Sequence, residues 1–160
     1  MGTKLFKKKE FKILLLGPGE PGKINSLSGM NIETIKYKEC NITIWICNQD
    51  RYRVIWNNIR STFDGIIFVV DSSNRDRIED YAEELKKALA EEEYKNCVVL
   101  VMANKQDLKD AIPPERITEI FEMRQIKGRT WNVIGTSCIT GEGIKEGMDW
   151  LKSVLLKRKI

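Results

Sequence analysis

The sequence contains no histidine. That excludes Ser-His-Asp and Cys-His catalysis, zinc sites built on imidazole, and the side chain that most often changes charge near neutral pH. No run approaches eighteen consecutive apolar residues, so no membrane-spanning helix is expected. The N-terminal stretch lacks the apolar segment of a secretory leader, and none is expected. Cysteine is sparse. Cys40, Cys47, Cys97 and Cys138 form no C-x-x-C pair, and the last three lie in or beside apolar runs. They are expected to be buried, reduced thiols of a cytoplasmic protein rather than metal or redox groups. No repeat or low-complexity segment is present.

What remains is a chain of 160 residues, enough for one domain with a core of its own. Its net charge of +4 sits at the ends. Lys4, Lys7, Lys8, Lys9 and Lys12 outweigh Glu10, and Lys157, Arg158 and Lys159 follow at the far end, so the body between is mildly acidic. This distribution argues against a broad nucleic-acid-binding face. Contact of the basic ends with an anionic membrane surface fits it better, and plain solvated termini fit it as well.

Two hydrophobic periods alternate along the chain. Phe11 to Leu16, Ile66 to Val70 and Cys97 to Met102 are continuous apolar runs and predict strands buried on both faces. Ile32 to Lys38 and Asn41 to Cys47 predict a hairpin turning near Glu39-Cys40, and Trp131 to Ile134 a short strand. Arg77 to Glu93 places Ile78, Tyr81, Leu85 and Leu89 at helical spacing. Pro113-Pro114 can open a helix carrying Ile117, Ile120 and Phe121, and Gly143 to Leu156 closes the chain with Ile144, Met148, Leu151 and Leu155 on one face. The alternation predicts an α/β sheet covered by helices, with ligands at the carboxyl ends of its strands.

Two of those ends carry chemistry. After the first strand, Gly17-Pro18-Gly19-Glu20-Pro21-Gly22-Lys23 has the G-x-x-x-x-G-K form of a phosphate-binding loop, in which backbone N–H groups and a lysine meet phosphate oxygens. A Gly/Pro-rich turn would read the same way. The hydroxyl residue that should follow and bind Mg²⁺ is Ile24, Pro18 and Pro21 each lack a backbone donor, and Glu20 adds a negative charge. After Met102, Asn104-Lys105-Gln106-Asp107 reads N-K-x-D. A carboxylate at Asp107 can accept from the N1–H and exocyclic amine of guanine, a pair that adenine cannot offer. Asn104 would brace the loop, and the Lys105 stem would cover one face of the base. A backbone N–H in Thr136-Ser137-Cys138 could meet the guanine oxygen. Alone the tetrad would be a solvated turn; with the upstream loop it points to a guanine nucleotide.

With these motifs in place, the sequence resembles the Arf/Arl family of small GTPases. Gly65 to Ser72, Ala103 to Leu108, Glu146 to Leu151, Asn31 to Ile35, Trp45 and Gln49-Asp50 carry the resemblance. It implies a Ras-like P-loop NTPase fold, α/β, with a mostly parallel six-stranded sheet and one antiparallel edge strand. The domain is expected over 13–160 behind a basic arm at 1–12. The resemblance implies a site for GTP or GDP, with Gly17, Gly19, Glu20, Gly22, Lys23 and Ile24 toward phosphate and Asn104, Lys105, Asp107, Ser137 and Cys138 toward guanine. Gln49 lines up with the water-positioning glutamine. An effector patch maps to Met30, Trp45 and Ile59, and a myristoylation site to Gly2, where Phe6 replaces the favoured Ser or Thr.

The chain also departs from the family. The family's first helix and first switch, with its magnesium-binding threonine, are reduced to Ile24 to Met30; the eight residues Lys23 to Met30 span at most about 26 Å. Ile46 stands where the second switch carries an aspartate. The resemblance therefore implies a guanine-nucleotide-binding protein of membrane traffic, cytoplasmic or peripheral on Golgi or other endomembranes, with Mg²⁺-dependent hydrolysis expected to be impaired. The alternatives are a non-catalytic pseudo-GTPase that serves as a binding module or scaffold, and a defective product missing one segment. Guanine nucleotide, effector or regulator proteins and the membrane are the partners implied; no metal ligand is assigned.

Overall fold

The computed structural model describes residues 8–17, 30–47 and 63–158, without the side chains of Met30, Asn31 and Cys47. Six strands form one sheet: β1 (Lys9–Leu16), β2 (Met30–Tyr37), β3 (Cys40–Cys47), β4 (Gly65–Asp71), β5 (Val98–Asn104) and β6 (Trp131–Gly135). Their order is β2-β3-β1-β4-β5-β6. β2 and β3 are antiparallel and every other pair is parallel, which is the expected mixed sheet. β4 and β5 are the expected apolar runs, and nearly every residue in them is buried. The hairpin turns at Lys38-Glu39, one residue before the expected place, with Lys38 at φ 53 and Tyr37 paired to Cys40.

Three α-helices lie among the described residues: α1 (Ile78–Ala90), α2 (Pro114–Ile120) and α3 (Ile144–Arg158). Glu79 and Asp80 in the first turn of α1 and Lys87 in its last complement the helix dipole. α1 stops at Ala90, short of the expected Glu93, because Glu91 turns extended and the chain continues as a single tight turn at Glu92–Tyr94. Pro114 opens α2, where its missing N–H costs nothing.

The core has two halves. On one face α1 and α2 bury Ile78, Tyr81, Leu85, Ile117 and Phe121 against Leu14, Phe68 and Val101. On the other, α3 buries Met148, Leu151 and Leu155 against Ile13, Ile67 and Leu100. On that second face Leu15, Ile44 and Val69 are only half-buried and Ile35 is exposed. Residues 18–29, where the family's first helix would stand, lie outside the described residues. The sheet reverses direction of winding at β1, so the crevice for a ligand opens at the carboxyl ends of β1 and its neighbours.

Candidate functional site

The carboxyl ends of β4, β5 and β6 are brought together by strand register. Asp71 of β4 pairs with Asn104 of β5, and Ala103 of β5 pairs with Gly135 of β6. Residues 33 and 32 positions apart therefore become neighbours. The loops after β4 and β5 are joined by the Ser72 N–H donating to Asn104 O (3.1 Å), and those after β5 and β6 by Gln106 N–H to Thr136 O (3.0 Å).

Asn104 braces this arrangement. Its Oδ1 accepts from the Thr136 hydroxyl (3.2 Å) and from the Cys138 N–H (3.1 Å). The N–H groups of Thr136, Ser137 and Cys138, one of which is expected to meet the guanine oxygen, donate here to Ala103 O, Glu142 O and Asn104 Oδ1. Asp107 is exposed, and its Oδ1 accepts from the Ser137 hydroxyl at 2.8 Å. Ser137 is fully buried and its Oγ also accepts from Thr140 N–H (3.2 Å), so the carboxylate is held by a group that cannot wander. The second oxygen of Asp107 has no partner among the described residues. A carboxylate oriented in this way can take the two donors of a guanine edge.

Lys105 lies in the left-handed region at φ 67, which directs its side chain back across the ends of the strands. Its Nζ donates to Asp71 Oδ2 at 2.7 Å. Asp71 Oδ1 in turn accepts from the Ser73 N–H (3.0 Å) and hydroxyl (2.6 Å). Burial alone would raise the Asp71 carboxyl, but the hydrogen bonds from Lys105 and Ser73 outweigh it and hold it below its ordinary value. The bond to Asp71 holds the Lys105 ammonium above its own. The lysine stem is thus stretched between a strained backbone and a fixed anion, which is what a side chain serving as a flat apolar cover needs. The motif reading missed Asp71: its partnership depends on the β4–β5 register, and the only local sign was an aspartate ending a buried strand.

The loop after β6 closes on glycine. Gly143 has φ +75, and a Cβ there would stand 2.0 Å from Gly135 O. Ser137 N–H to Glu142 O (3.0 Å) and Gly141 N–H to Ser137 O (2.8 Å) complete the turn that leads into α3.

Other expected site residues are placed less fully. Gly17 directly follows β1, and a Cβ added there would stand at ordinary contact distance from Val69 O. Gly19, Glu20, Gly22, Lys23, Ile24, Gln49, Ile59 and Gly2 lie outside the described residues, as does the side chain of Met30. Trp45 is half-buried with its ring edge-on to Phe63 (centroids 5.8 Å apart, planes at 87°). Its cross-strand partner Ile32 is 48% exposed. Cys40 and Cys97 are buried as expected, and burial pushes the Cys97 thiol up to about 11. Cys138 corrects the expectation: it is exposed, because it lies in the loop beyond β6 rather than in the apolar strand before it.

Residues 1–155 match the sequence model of the ADP-ribosylation factor family. Among solved structures the chain is similar to the small GTPase Arl6 (BBS3) from Trypanosoma brucei, determined with the bound nucleotide analogue GppNp. The TM-score is 0.80 at 20% identity, over 93% of this chain and 99% of that one. At that identity the likeness shows the Ras-like fold, and the family match carries the kinship. This chain belongs to the ADP-ribosylation factor family of small GTPases.

Proposed function

We propose that the chain holds guanine nucleotide, GDP or GTP, at the carboxyl ends of its strands and hydrolyses GTP poorly or not at all. One observation carries the binding half. The Asn104–Asp107 and Thr136–Cys138 loops are locked to each other by Asn104 Oδ1, with Asp107 held by Ser137 and Lys105 by Asp71. These contacts support an edge-and-face receptor for a purine that presents two donors.

The hydrolysis half rests on side-chain chemistry. Ile46 is at the carboxyl end of β3, in register with Leu15 of β1. A hydrocarbon there offers no lone pair where the family resemblance implies a magnesium-linked carboxylate. Ile24 likewise replaces a hydroxyl, and the switch threonine is missing. The residues present do not fit the ion, and no step of hydrolysis is assigned through it. The same absences favour a second reading, a non-catalytic binding module that keeps the fold as a scaffold.

The basic ends support peripheral contact with anionic membrane in membrane traffic. β1 begins at Lys9, the hairpin turns at Lys38 and α3 ends at Arg158, all at the pole opposite the base loops. No helix among the described residues is long and apolar enough to cross a membrane. Ile32 beside Trp45 offers an apolar surface for an effector or regulator.

Fluorescent GDP and GTP binding, with Mg²⁺ and with EDTA, tests the proposal beside Lys23→Ala and Asp107→Asn. Binding that needs both residues and ignores EDTA is the expected result. Binding that EDTA weakens would overturn the metal reading. Absence of binding by folded protein would leave the scaffold.

A further inference from the structure

A groove of about 370 Å³ runs between the second half of α1 and the 121–129 segment. It lies at the pole away from the base loops, since α1 runs back from the carboxyl end of β4 to the amino end of β5. Its walls are apolar: Ala82, Leu89 and Ile126 line it and are each only half-buried. Around them stand Lys86, Lys127 and Arg129, with Glu122 as the one carboxylate of the lining.

Arg129 is the informative residue. Its guanidinium is half-buried and donates to two main-chain carbonyls, Tyr94 O (2.9 Å) and Leu89 O (3.0 Å). Both acceptors are neutral. Among the described residues Arg129, Lys86 and Lys127 form no ion pair. Burial pushes the Arg129 guanidinium below its ordinary value, with no carboxylate to offset the loss of water. A half-desolvated cation of this kind gains more from a carboxylate than an exposed lysine does. The surrounding body of the chain is mildly acidic, so the groove is a local reversal of sign.

We propose that this groove docks a short acidic segment of a partner protein, seating one apolar side chain between α1 and Ile126 and one carboxylate on Arg129 and Lys127. The volume is at the small end of ligand pockets, room for an anchor side chain rather than a whole helix. Charge complementarity selects an acidic segment over a basic one. The docking does not depend on nucleotide binding.

The test is selection of a random peptide library on the full-length protein, followed by fluorescence anisotropy with the enriched peptides. The expected peptides place Asp or Glu beside Leu, Phe or Met. Lys86→Glu with Lys127→Glu, both exposed positions, should weaken their binding about tenfold or more, the scale of a charge-assisted contact. Ala82→Trp should do the same by filling the groove without changing charge, and guanine nucleotide binding should not move in either variant. Failure to enrich any peptide, enrichment without acidic residues, or binding indifferent to the charge reversal would each overturn the proposal.

Discussion

The tether between Lys105 and Asp71 makes a measurable claim. Asp71→Asn keeps the size of the side chain and leaves one oxygen to accept from Ser73, but it removes the anion. The pair is 2.7 Å apart, with the side chains 47% and 29% exposed. Coulomb's law at the effective dielectric of a protein surface would give several kcal/mol. Solvent and salt reduce half-exposed pairs of this kind to about 0.5–1 kcal/mol. The left-handed backbone of Lys105 costs about 1–2 kcal/mol, which the tether helps to offset. The expected loss is therefore about 1 kcal/mol, roughly fivefold in GDP affinity at low salt and less at high salt. Lys105→Met keeps the stem and removes the charge, so it should cost about the same. The double variant should be no weaker than either single one, giving a coupling energy near 1 kcal/mol. Displacement of a fluorescent GDP analogue reads the cycle, and urea unfolding reads it again without nucleotide. Losses that simply multiply in the double variant, by both readouts, would refute the tether.

Four further outcomes follow from the same structure. Gly143→Ala forces a Cβ against Gly135 O in a left-handed turn and should cost more than about 2 kcal/mol, seen as a fall of several degrees in Tm. Brief alkylation of native protein followed by peptide mapping should mark Cys138 and spare Cys97, whose thiol burial holds near 11; early labelling of Cys97 would contradict the packing. Burial and then the hydrogen bond to Asp149 push the Tyr37 phenol from 10.0 up to about 12. Folding thus favours the neutral phenol. The contribution is whole below pH 10 and is lost as pH rises toward 12, and ultraviolet titration of Asp149→Asn should show Tyr37 ionising earlier. Leu151→Ala empties the centre of the α3-side core and should cost about 2–5 kcal/mol in urea unfolding.

Most of the architecture was legible from local pattern. Val98 to Met102 is apolar without a break, which only a strand covered on both faces tolerates, and it lies inside the sheet between β4 and β6. The three- and four-residue spacing of Ile78, Tyr81 and Leu85 placed α1, because a helix repeats every 3.6 residues whatever it packs against. The end of α1 was not legible: Glu91 to Glu93 are acceptable helix formers, and the chain leaves the helix where Leu89 O is taken by Arg129, forty residues on. N-K-x-D marked the loop after β5 as a candidate site because its residues are adjacent in the chain.

The partners of those residues belong to tertiary structure. Asp71 reaches Lys105, and Thr136 reaches Asn104, only because β4, β5 and β6 are parallel in a particular register; a shift of one residue would send each side chain to the other face. Ser137 holds Asp107 from 30 positions away, and the exposure of Cys138 depends on where β6 ends. The meeting of Lys9, Lys38 and Arg158 at one pole and the cationic groove beside α1 arise in the same way, from elements laid side by side. Composition and period are properties of neighbouring residues and can be read along the chain. Hydrogen-bond partners, burial and the sign of a surface are set by which strands and helices come to lie together, and only the folded chain decides that.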